Sequence, residues 1–226
     1  NIFIKYLSSS SEKRSFFGNA KTFFFDHFLQ IIRLHKKSII SRSTLRKVIS
    51  DLVPVETFEE LKIPLKVCAT ELNSGKNITY DSGDLITAIV RSCSIPGIIE
   101  PTIQNKNIIV DGGVYLPIPV QVLKDKCNCT IAVDISQNEL PVLKNINMIN
   151  LKGRSDLITS NHLKNLLSEQ ADFMLKPNTL GSHWSSFHKS HLLIKEGEIE
   201  VQNKIDSLKV ILEKVNFVDK SKERLS

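Results

Sequence analysis

Long apolar runs are absent from this chain. No stretch approaches the ~18 to 20 uninterrupted apolar residues that a membrane-spanning helix needs, and the N-terminus shows no basic-then-apolar leader pattern. Because the first residue is Asn1 rather than Met, the second absence excludes little. Cysteine is sparse: Cys68, Cys93, Cys127 and Cys129 show none of the paired C-x-x-C spacing of a zinc site or redox motif. They are expected to be reduced core or strand residues of a cytoplasmic protein. Zinc-finger spacing, an RNA-binding aromatic motif and a basic zipper are also missing, so nucleic acid is not an expected partner. There is no internal repeat and no low-complexity tract.

What is present is an ordinary globular composition, 41% hydrophobic and 24% charged over 226 residues, enough for one domain with a sizeable core. The net charge of +6 is unevenly spread. Residues 1 to 47 hold ten Lys or Arg against only Glu12 and Asp26, so the basic character is local and the remainder is slightly acidic. Such a patch suits an anionic membrane surface.

Within that segment FFGNAKTFFFDHFLQIIRLHKK has helical spacing. Asp26, Gln30, Arg33 and Lys37 form a polar stripe opposite Phe24, Phe25, Phe28, Leu29, Ile31 and Ile32. The resulting amphipathic helix either covers the core or a pocket, or touches lipid through a face flanked by basic residues. Ser43 as N-cap and Pro54 as stop then predict a short helix over Thr44–Leu52. IPLKVCATEL reads as a strand running into the turn NSGKN, and Asp84 caps a helix LITAIVRSC that SIPG ends. Further strands are expected up to Asp111 and over Thr130–Ser136. The unbroken apolar IIV and IAV suggest burial on both faces of a parallel sheet. The C-terminal third is expected to be helical, with a short extended ADFMLKP and a long amphipathic pattern over Leu192–Val215. Strands alternating with helices predict a layered α/β domain with a mostly parallel central sheet.

One segment asks for a chemical explanation. In NIIVDGGVYLPIPV an apolar strand delivers a carboxylate, Asp111, into Gly112 and Gly113. A buried carboxylate is costly unless it is hydrogen-bonded or used. Taken alone, Asp-Gly after a strand is often only a turn cap.

The ordered series ELKIPLKVCATELNSGK, AIVRSCSIPGIIEP, NIIVDGGVYLPIPV and TIAVDIS resembles the second half of a patatin-like phospholipase domain. ADFMLKPNTLG and SFHKSHLLIKEGEIE are similar to that family's closing strand and helix. The resemblance runs from about Thr57 onward. It implies an acyl hydrolase with a serine–aspartate dyad and no metal or organic cofactor, acting on phospholipid or related acyl lipid. The family's aspartate carries over onto Asp111 as general base, with Gly112 and Gly113 leaving room for serine and substrate. It also implies a layered α/β/α fold, one domain over 1–226, with 1–56 a basic lid or membrane-contact segment and 57–226 the core.

The chain departs from that family in one respect. It contains no G-x-S-x-G elbow and no glycine-rich oxyanion loop. Ser residues beside Gly in NSGKN, DSGDL and LGSHW lack the elbow context, and Ser94 is assigned to helix-end packing. The expectation is a chain that supplies the base, with the first strands and the nucleophile upstream of Asn1, and that is inactive alone. The rival expectation is a non-catalytic protein of the same fold that binds lipid or a membrane surface. His183, His188 and His191 lie close in sequence but lack the neighbouring Cys or H-E-x-x-H pattern of a metal site; a triad of one of them with Asp111 and a serine is a geometric alternative that is not the expectation here.

Overall fold

The computed structural model describes residues 38–223, apart from 125, 137–139, 141, 144, 145 and 183–185. The Phe-rich amphipathic stretch with Arg33, and His183, lie outside the described residues.

The first described helix, α1, spans Arg42–Leu52. It begins two residues before the predicted Thr44, because Ser41 rather than Ser43 is the cap: its side chain accepts the Thr44 amide at 3.2 Å. The freed Arg42 amide is taken by Glu100 Oε2 at 3.1 Å, a partner 58 residues away that no local pattern reveals. Leu45 and Ile49, one turn apart, point inward and join Ile40, Ile86, Val90 and Ile99 in a buried cluster.

Helix α2, Leu85–Ser92, starts where the sequence predicts. Asp84 Oδ1 accepts the Thr87 amide at 2.7 Å and Asp84 Oδ2 the Thr87 hydroxyl at 2.7 Å. This helix is apolar on two sides because it is packed on two sides. Ile86 and Val90 meet α1, while Leu85 and Ala88 meet Phe58 and Val67 of the first strand.

Strand β1 is Val67–Glu71, β2 Lys76–Tyr80, β3 Thr102–Gln104 and β4 Asn107–Asp111. They form one four-stranded sheet in the order β2-β1-β4-β3. Every pairing in it is antiparallel, with Ala69 opposite Asp111 across the central pair. The predicted mostly parallel sheet is therefore corrected for this part of the molecule. Ile109 and Val110 are buried because β4 is a central strand with α2 packed against it, and central position gives an apolar run whatever the strand direction. Glu71 fastens the sheet's end: Oε1 accepts from the Asn73 and Ile108 amides and Oε2 from the Ser74 amide.

A second, two-stranded sheet is parallel and joins β5, Ile131–Val133, to β6, Phe173–Leu175. Here too an expectation fails: Ala132 is buried, but Ile131 and Val133 are 45% and 53% exposed, so IAV alternates. Helix α3, Met148–Ser168, links the two strands and α4 spans Ser190–Glu223. Lys164 of α3 is almost fully buried against Asp134 just after β5, with Nζ to Oδ2 at 3.5 Å. No helix among the described residues is long and apolar enough to cross a membrane.

Candidate active site

Asp111 ends β4 and caps the 3-10 turn Gly112–Val114. Its backbone is fixed on both sides. The amide donates to the Ser94 carbonyl at 3.0 Å, and the carbonyl accepts from the Thr70 hydroxyl at 3.0 Å. Its carboxylate accepts the Gly113 amide through Oδ1 at 2.7 Å and makes no ion pair among the described residues. Burial pushes the carboxyl above the usual aspartate range, and the single amide only partly opposes this.

The two glycines serve different ends, which the sequence could not distinguish. A Cβ on Gly112 would sit 2.3 Å from the Cys68 carbonyl oxygen, so this glycine lets the turn lie directly on β1. A Cβ on Gly113 would come within 3.0 Å of Asp111 Oδ1, crowding the carboxylate itself. Both glycines also line the cleft beside Asp111, so backbone packing at position 112 is a reason in addition to the expected one.

A cleft of about 410 Å³ opens beside Asp111. Its walls are largely apolar: Val67, Ile89, Leu116, Pro117 and Pro119 line it together with the thiols Cys68 and Cys93. The pair of prolines in VYLPIPV belongs to this wall. Ile118 and Val120 turn into a third core cluster with Ala132, so the alternating Pro117 and Pro119 face the cleft and hold its shape. Ser92 and Lys66 supply polar groups, and Lys66 is already engaged by Asp81 at 2.5 Å. An apolar slot with a carboxylate free of ion pairs at its rim suits an acyl chain and a reacting hydroxyl.

Several cleft residues escaped sequence reasoning. Cys68 and Cys93 are indeed free, but Cys93 is only partly buried and Cys127 is exposed, so the cysteines are not uniformly core residues. The signal for Cys93 was its place directly after the α2 pattern, next to the segment that holds Asp111. Burial raises both the Cys68 and the Cys93 thiol, with Asp111 adding to the effect at Cys93. Ser94 is fully buried and its hydroxyl donates to the Val90 carbonyl at 2.7 Å, the helix-end role expected of it. Of the glycine-flanked serines, Ser74 lies in the β1–β2 turn and Ser82 before α2, both away from the cleft lining. His188 sits in a 3-10 turn and His191 in α4, and no group of three or more metal-ligating side chains occurs among the described residues.

Comparison with known proteins bears on the family of this chain. An uncharacterized NTE family protein of Mycobacterium bovis is 33% identical over 115 residues, and one of the same description from Mycobacterium tuberculosis matches equally. The aligned stretch covers 48% of this chain and 32% of each relative, so the chain spans about a third of the relatives' length. The patatin-like phospholipase family model matches residues 4–124. That match takes in the basic N-terminal segment, which the sequence resemblance from Thr57 left out, and stops before β5. With more than half of its length matched, the chain belongs to the patatin-like phospholipase family.

Proposed function

We propose that this chain supplies the general base of a lipid acyl hydrolase, with Asp111 as the base and phospholipid or a related acyl ester as substrate. The observation that carries the reading is the half-buried Asp111 carboxylate, free of ion pairs among the described residues, at the rim of an apolar cleft. A base is most useful when its affinity for protons is raised toward working pH, and burial moves Asp111 in that direction. In the proposed reaction the carboxylate takes the proton of a serine hydroxyl while the serine oxygen bonds to the ester carbonyl. The alcohol leaves with that proton and an acyl-serine remains. Water, deprotonated by the same carboxylate, then releases the fatty acid and regenerates serine. General base assistance of this kind is worth about 10² to 10⁴ in rate, and serine is a weak nucleophile without it.

The sequence offers no G-x-S-x-G, so the serine is proposed to lie outside these residues. The purified chain is then expected to leave p-nitrophenyl acyl esters unhydrolysed above background, because a base cannot replace nucleophile and oxyanion donors. Turnover would overturn the proposed division of roles, and Ser92, which lines the cleft, is the residue whose change to Ala would be tested first. In a longer form that carries the elbow, Asp111→Asn is expected to keep the melting temperature and lower kcat about 100-fold or more. Near-normal kcat would remove Asp111 from its role.

The basic N-terminal segment is proposed to hold the enzyme at anionic membranes. Replacement of Arg33, Lys36 and Lys37 by Gln is expected to weaken sedimentation with anionic vesicles, and salt is expected to do the same. Sedimentation that ignores both would refute membrane contact.

A further inference from the structure

A second cleft of about 520 Å³ lies between α1, α2 and β3, lined by Arg42 and Arg46 from α1, Arg91 and Thr87 from α2, and Glu100 and Gln104 around β3. It shares no lining residue with the Asp111 cleft, and α2 separates the two: Thr87, Val90 and Arg91 face one, Ile89, Ser92 and Cys93 the other. Three guanidinium groups line a space in which, among the described residues, Glu100 is the one carboxylate.

Those charges are incompletely answered. Arg46 reaches Asp84 at 3.4 Å and the Thr87 hydroxyl at 2.7 Å. Among the described residues Arg91 has neutral partners, Tyr80 Oη at 3.2 Å and Gln104 Oε1 at 2.7 Å, and stacks 5.3 Å from the centre of the Tyr80 ring. Its Nε is buried without a hydrogen-bond partner among the described residues. The Arg42 guanidinium makes no ion pair among the described residues, and Glu100 is spent on the Arg42 backbone amide. Stacking and neutral acceptors hold Arg91 in place without neutralising it, which leaves its charge available to a ligand.

We propose that this cleft binds a phosphate-bearing anion, either a lipid headgroup or a soluble phosphate ester. Three forked donors from two helices suit a group with three or more acceptor oxygens better than a carboxylate with two. The Gln104 side-chain NH2, whose companion oxygen accepts from Arg91, adds a neutral donor at the same wall, while the Thr87 hydroxyl is already given to Asp84. The inference is independent of the role given to Asp111.

The whole chain is titrated by calorimetry with inorganic phosphate and with glycerol phosphate, at low and high salt. Saturable binding is expected, weakened about tenfold by Arg42→Gln and more by Arg42→Gln with Arg91→Gln, whereas Arg91→Lys retains part of it. Glu100→Gln is expected to tighten binding, because Gln still accepts the Arg42 amide but no longer repels the anion. A purely structural role for these side chains would not produce that gain. Sedimentation with phosphatidic acid vesicles, with phosphatidylcholine vesicles as control, identifies the source. Arginine-dependent capture on phosphatidic acid that glycerol phosphate competes away assigns the cleft to lipid headgroups, and arginine-dependent binding of the soluble esters alone assigns it to those. Thermal melts accompany every variant, and if Arg91→Gln unfolds, Arg42→Gln decides, since its guanidinium supports no ion pair among the described residues. Absence of saturable phosphate binding in the wild type, or binding unchanged by Arg42→Gln, would overturn the proposal.

Discussion

The backbone amide of Asp111 donates to the carbonyl of Ser94 at 3.0 Å, so the candidate base hangs from the residue that closes α2. Ser94 is itself fully buried and hydrogen-bonded back to Val90. The cleft, the helix and the strand are thereby one mechanical unit.

Ser94→Ala is expected to lower the unfolding free energy by about 1 to 3 kcal/mol, since a buried carbonyl loses its hydroxyl partner. Urea unfolding measures this. An unchanged midpoint would make the hydroxyl a bystander.

Gly112→Ala and Gly113→Ala are expected to differ in kind. At Gly112 the new methyl meets the Cys68 backbone at 2.3 Å, and backbone must move, so a loss of about 1 to 3 kcal/mol or more is expected. At Gly113 the contact is 3.0 Å to the Asp111 carboxylate, whose side chain can rotate. The second variant is expected to fold nearly normally and to disturb the carboxylate. Equal melting temperatures for the two variants would contradict this ordering.

The two carboxylates Asp111 and Glu71 should give opposite pH signatures. The folded Asp111 carboxyl is raised by burial, so its contribution is fully present below the unfolded value and is lost as pH climbs through the folded one. Asp111→Asn is therefore expected to melt no lower than wild type at pH 7, with any advantage vanishing below about pH 4. Glu71 is lowered from 4.5 to about 2, chiefly by its hydrogen bonds to Ser74 and Asn73. Its stabilisation is present above the ordinary value and lost as pH falls through about 2. Glu71→Gln should thus melt below wild type at neutral pH and converge with it in strong acid. Parallel melting curves across pH for either pair would refute its assignment.

Thiol labelling reports on the cleft. Cys127 is exposed, whereas burial and the neighbouring Asp111 both raise Cys93, so iodoacetamide at pH 8 should modify Cys127 well before Cys93. Asp111→Asn removes the repelling charge and should speed labelling at Cys93 while leaving Cys127 unchanged. Mass spectrometry of timed samples shows whether it does. Equal acceleration at both sites would point to loosening of the fold instead.

Much of this molecule was legible in the order of its residues. Asp84 followed by LITAIVRS specified α2 and its start, because a cap and an apolar period are local chemistry. IVDGG marked Asp111, because a carboxylate leaving an apolar strand into two glycines is unusual at the level of the chain, and the accompanying segments pointed to the family. Strand direction was not local. β4 and a parallel core strand share the same apolar run, since burial depends on central position, and only the pairing of Ala69 with Asp111 decided that the sheet is antiparallel. The start of α1 depended on Glu100, far along the chain. The purpose of Gly112 depended on the Cys68 carbonyl, and the arginine cleft on three side chains that α1 and α2 bring to one wall. Caps, periods and turns are set by neighbours a few residues apart, whereas pairing direction, close backbone approach and the meeting of like charges arise only when distant segments pack.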